Sequence, residues 1–158
     1  MKKILGLASV AVMLFGALNA AEAKTPAKEK KTTPPEIYLS VFDTSTNPFT
    51  DLKTTKLSRS KPNLQLCWIA QGTFYQQVNL IETFKAPAPQ KMVAEGARIS
   101  TSEDGKTNSI RGSLDSLSRG KVLVKCWRFD ENDPLGKYSL QVQVVKKVYP
   151  PLSFSVVK

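Results

Sequence analysis

Histidine is absent from all 158 residues of the chain. That absence excludes Ser-His and Cys-His nucleophilic machinery, a histidine general base and most zinc sites. Cysteine occurs only twice, at Cys67 and Cys126, and no Cys-x-x-Cys pair exists to act as a redox centre. Acidic residues are scarce, 13 against 23 basic ones. There is no Ser-x-x-Lys, no Gly-x-Ser-x-Gly and no phosphate-cradling glycine loop. The acidic turn Asp130-Glu131-Asn132-Asp133 lacks the spaced Asp-x-Asp-x-Asp-Gly pattern of a calcium loop, and Glu103-Asp104-Gly105 reads as another turn. These gaps argue against an enzyme, a metal site or a bound cofactor. Apolar residues make up 41% and charged residues 23%, which excludes a multi-span membrane protein.

What the chain does have begins with an export pattern. Lys2 and Lys3 precede an apolar run over 4–18, and Ala21-x-Ala23 fits a signal-peptidase site. The run is about 15 residues, short of the roughly 20 needed to span a bilayer. Residues 1–23 therefore read as a cleaved signal peptide, and the mature chain as periplasmic or secreted with no transmembrane segment. Residues 24–35 hold four lysines and no large apolar side chain. They read as a disordered basic linker, leaving 36–158 as the folded domain. Export puts both cysteines where disulfides persist, so a structural Cys67–Cys126 bridge is expected.

Beyond the signal no apolar period of 3.6 residues is sustained. Short runs rich in β-branched and aromatic residues alternate with turn clusters, which predicts strands at 37–43, 63–70, 76–84, 92–100, 107–114, 121–129, 137–145 and 152–157. Tyr138, Leu140, Val142 and Val144 alternate with polar residues, as a half-buried strand does, and 121–145 reads as a hairpin. Val78, Leu80 and Phe84 share a face in the same way. The segment 47–62 is irregular enough to hide an edge strand, and 152–157 is a candidate edge. Seven or eight short strands imply an all-β sandwich of two antiparallel sheets.

Two strand cysteines about 60 residues apart in such a domain resemble an immunoglobulin-type sandwich with its inter-sheet bridge. The run Asp133-Pro134-Leu135-Gly136-Lys137-Tyr138-Ser139-Leu140 is similar to the last hairpin of many bacterial envelope sandwich domains. The resemblance implies an immunoglobulin-like antiparallel sandwich of 7–8 strands, and it carries over no binding residues.

Cys67-Trp68 and Cys126-Trp127 repeat one dipeptide on two strands. Side chains alternate along a strand, so each cysteine and its tryptophan face opposite ways. With the cysteines turned to the core, Leu66, Trp68, Trp127 and Phe129 point outward. Either long loops or the opposite sheet cover that second face, or it is a partner-binding strip. Lys53, Lys56, Arg59 and Lys61 gather in one loop and are candidates for contact with anionic glycan or lipid, while export argues against nucleic acid. The reading is a non-catalytic exported module that contacts another envelope or secreted protein through a sheet face or edge. Alternatives are an inhibitor or immunity protein for an exported toxin, and a carbohydrate- or anionic-glycan-binding domain in which Trp68 and Trp127 stack on sugar rings.

Overall fold

In the computed structural model, residues 36–158 are described, so the expected signal peptide and linker lie outside the described residues. Every regular element is a strand: β1 Glu36–Asp43, β2 Thr50–Asp51, β3 Lys56–Ser58, β4 Leu64–Gln71, β5 Gln77–Lys85, β6 Arg98–Thr101, β7 Thr107–Asp115, β8 Val122–Trp127, β9 Gly136–Val144, β10 Lys147–Val148 and β11 Leu152–Val157. They form two sheets, a smaller one ordered β2-β1-β4-β8 and a larger one ordered β3-β11-β9-β5-β7-β6, with β10 paired to β9. The protein is an all-β sandwich carrying one disulfide, Cys67–Cys126.

Local sequence accounts for most of these elements. In β5 and β9 alternate side chains are buried, so each strand turns one apolar row toward the other sheet. Pro87 and Pro89 cannot donate ladder hydrogen bonds, and β5 stops at Lys85 just before them. The core is formed where Val41, Leu66, Trp68, Ala70 and Leu123 of the smaller sheet meet Leu80, Phe84, Ile110, Leu140, Val142, Phe154 and Val156 of the larger. Phe84 packs edge-on against Trp127 at 5.1 Å, and Phe154 stacks on Tyr138 at 5.0 Å.

Four expectations are corrected. The 121–145 hairpin does not form: β8 pairs with β4, β9 pairs with β5 and β11, and the chain between them crosses from one sheet to the other. The 92–100 strand gives way to Arg98–Thr101, because residues 92–97 make no ladder and the chain turns at Glu95-Gly96, where Gly96 takes φ +70°. The 152–157 strand is internal, since Lys56–Ser58 adds to it in parallel and covers its outer side. The inter-sheet bridge is the fourth. Cys67 and Cys126 are direct partners on neighbouring strands of one sheet, with Cα atoms 4.0 Å apart. The irregular 47–62 segment supplies both β2 and β3.

Candidate functional site

The pairing of β4 with β8 fixes which way every side chain of the two Cys-Trp strands points. Paired residues share a face. Leu66 with Trp127, Trp68 with Lys125 and Ala70 with Leu123 turn toward the larger sheet, while Cys67 with Cys126 and Ile69 with Val124 turn away from it. The orientation is the reverse of the one that puts cysteine in the core. Leu66, Trp68, Trp127 and Phe129 are all buried in the core, so they form no exposed strip and offer no indole to a sugar ring.

The cause stands on the opposite strand. Glu82 lies on the inward row of β5 and is 0% exposed. One carboxylate oxygen accepts hydrogen bonds from the Trp68 and Trp127 indole N–H groups, each at 2.7 Å. The other oxygen pairs with the Lys125 ammonium at 2.5 Å. Lys125 also sits over the Trp127 ring, 4.8 Å from its centroid, and its side chain stays 22% exposed. A buried carboxylate is tolerable only when charged and polar partners replace its water, and here three donors from two strands do so. The repeated Cys-Trp dipeptide is thus a pair of donors aimed at one acid. Glu82 was the residue missed by the sequence reading; its position between Leu80 and Phe84 in an alternating strand is the signal that would have found it.

With the tryptophans turned inward, the outer face of the smaller sheet carries the other row. Tyr38 is exposed, Phe42, Val122, Val124 and Cys126 are half-buried, and Cys67 and Ile69 are buried among them. β8 ends this sheet. On its outer side Val122 exchanges two backbone hydrogen bonds with Leu117, which fixes the direction of alternate backbone groups. By the same parity the N–H and C=O groups of Val124 and Cys126 point outward from the sheet. From 116 to 129 the sequence has Arg119, Lys121, Lys125 and Arg128 and no acidic residue.

The four cations expected to meet an anion are divided. Lys53 and Lys56 border a depression of about 510 Å³ with Tyr38, Ser40 and Asp51, and Asp51 accepts a hydrogen bond from Ser40. Arg59 lies in another, of about 630 Å³, with Asp130 and Glu131, and donates to the Asp133 carbonyl. Lys61 is exposed in the turn that leads into β4. The Ser45 hydroxyl, then the Asn63 side-chain amide and the Ser45 backbone N–H, hold the Asp43 carboxyl below its ordinary pKa, and the Ser102 hydroxyl with the Lys106 backbone N–H does so for Asp104. Burial pushes the Tyr138 and Tyr149 hydroxyls above theirs. Tyr138 donates to the Pro134 carbonyl at 2.6 Å, whereas the buried Tyr149 hydroxyl has no partner among the described residues.

Among solved structures, the chain is similar to BslA, a bacterial hydrophobin, with 10% identity over 80% of this chain and 96% of that one and a TM-score of 0.37. It is also similar to the Pseudomonas fluorescens alkylpurine DNA glycosylase AlkC bound to DNA containing an abasic site analog, with 10% identity over 78% of this chain and 30% of that one and a TM-score of 0.36. The uncharacterized protein PM0630 of Pasteurella multocida (strain Pm70) is 33% identical over 160 residues, covering all of both chains. The model of the PM0630 beta sandwich domain matches residues 37–157, and the chain belongs to that family.

Proposed function

We infer that this domain is a non-catalytic binding module of the exported compartment, which engages an envelope or secreted protein through the outer face and open edge of the smaller sheet. The observation that carries this reading is the apolar outer row, which runs from Tyr38 across Ile69 to Val124 and ends on a strand with outward backbone groups. An extended partner segment adds to such an edge by main-chain hydrogen bonds and lays alternate side chains over the row. Arg119, Lys121 and Arg128, with no acidic residue from 116 to 129, select a segment with acidic side chains, Lys125 being held by Glu82. A bridge between directly paired positions stiffens β4 and β8, so the edge is ordered before the partner arrives. An oxidising, exported setting agrees with that bridge and with the immunoglobulin-like, envelope-type architecture read from the sequence.

The test is a substitution that spares the fold. Val124→Pro removes an outward N–H while the ladder to β4 uses its neighbours. Affinity capture from native envelope with the wild-type domain, repeated with purified partner, is expected to give a complex that weakens with salt and is lost in Val124→Pro. Equal capture by both forms, with the variant's melting curve intact, overturns the edge reading.

A further inference from the structure

One end of the sandwich combines exposed apolar side chains with basic ones. At the end of the sandwich where β4, β7 and β9 finish lie three segments: loops 72–76 and 116–121, and 145–148, the β9–β10 turn with β10. Backbone bonds sew the first two together, from Gly72 to Lys121 at 2.9 Å, Phe74 to Gly120 at 2.8 Å and Ser116 to Gln76 at 2.7 Å. Gly120 takes φ +80°, and a Cβ there would lie 2.5 Å from the Phe74 carbonyl oxygen, so the seam requires glycine.

Large apolar side chains stand out from this end. Tyr75 is 80% exposed, Val145 53% and Val148 50%. Beneath them lies a mostly apolar cavity of about 270 Å³ lined by residues that include Phe74, Val78, Val144 and Tyr149. Val145 opens the turn between β9 and β10 with φ +54°. Such turns favour Gly, Asn or Asp, and a β-branched residue there is strained. Strain retained at an exposed tip points to use of the side chain it holds out.

Charge supplies the identity of the ligand. Lys146 and Lys147 border the same cavity as Tyr75 and Val145, Lys121 donates to Thr73, Arg119 stands in the loop joined to 72–76, and the three segments contain no acidic residue. The carboxylates that adjoin these segments, Asp115 beside Ser116 and Glu36 paired with Gln71, stand on strand ends, and Asp115 accepts a hydrogen bond from Gln77. Tyr75 and Val145 stand on turns and Val148 on the two-residue β10, so the apolar groups project singly rather than as a flat face, and such projections fit a deformable interface. Tyrosine and flanking lysine settle at the headgroup level of a bilayer, and valine beside them contributes apolar surface to the acyl boundary.

We propose that this end docks on a bilayer bearing anionic phospholipid, with Tyr75, Val145 and Val148 entering the interface while Arg119, Lys121, Lys146 and Lys147 meet the phosphates. This surface shares Arg119 and Lys121 with the β8 edge but stands on Tyr75 and on 145–148, and the two fail separately, because vesicles contain no protein partner and Tyr75, Lys146 and Lys147 lie outside the edge. In sedimentation with vesicles, the purified protein is expected to bind phosphatidylcholine mixed with phosphatidylglycerol, to ignore phosphatidylcholine alone, and to release as salt rises. Neutralising Lys146 or Lys147 to Gln lowers partitioning about fivefold each. Val145→Asn separates use from stability: its denaturation midpoint rises as strain is relieved, yet vesicle binding falls. Equal binding to both vesicle types overturns the proposal. So does binding indifferent to Tyr75→Ser and to the lysine pair in folded variants, or binding reduced as much by Lys53→Gln and Lys56→Gln. Capture of an acidic protein by these loops, with no vesicle binding, also overturns it.

Discussion

Glu82 is the residue on which the two sheets are joined by polar contact. Removing one member of a buried ion pair leaves an uncompensated charge, and the usual cost is about 3–5 kcal/mol. Glu82→Ala is therefore expected to lose about that much in urea unfolding followed by tryptophan fluorescence. Replacing a whole buried pair by apolar residues is often harmless. Here Glu82→Leu with Lys125→Met remains destabilised, because both indole N–H groups lose their acceptor, at about 1–3 kcal/mol each. If the double variant unfolds with the wild type, the indole bonds contribute little. The sequence displays the alternation that turns Glu82 inward, but its donors are 14 and 45 positions away. No local pattern reports such a meeting, so the tryptophans look available for a partner until the strands are paired.

Strand alternation was legible wherever one face is polar, as in β5 and β9. It was ambiguous in β4 and β8, which are apolar on both faces, so their orientation could be read either way and only the pairing decides it. The three shortest strands, β2, β3 and β10, have two or three residues each and too little pattern to read. The sheet assignment of β8 was also hidden, because a short link between two strands suggests a hairpin whether or not the chain changes sheets. The disulfide acts at this scale. It closes a sequence separation of 59, and the chain-entropy argument gives about 4 kcal/mol, with about 2–5 typical of native bridges. Cys67→Ala with Cys126→Ala should lower stability within that range, measured as the shift in urea midpoint at constant slope. A negligible shift would mean that the strand ladder alone restricts the chain as much as the covalent link does.

Over the whole molecule, pH bounds the folded state from both sides. Asp43 and Asp104 titrate below their ordinary 3.8, so their contribution is present above that value and is lost as pH falls through the lower folded one. Tyr138 and Tyr149 titrate above their ordinary 10.0, so theirs is complete below that value and is lost as pH rises through the higher folded one. A plateau in melting temperature between these limits is expected. Tyr149→Phe should flatten the alkaline limb while changing neutral stability by less than about 1 kcal/mol, since its hydroxyl gives up no hydrogen bond. Tyr138→Phe also flattens that limb but loses its bond to Pro134, at about 1 kcal/mol. A neutral-pH loss for Tyr149→Phe as large as that for Tyr138→Phe would contradict this account.

The parallel addition of Lys56–Ser58 to β11 joins segments roughly a hundred positions apart. The larger sheet therefore cannot be completed before residues 152–157 have joined it. Until then Lys56–Ser58 has no ladder partner, which makes the six residues of β11 the closing stitch of the architecture.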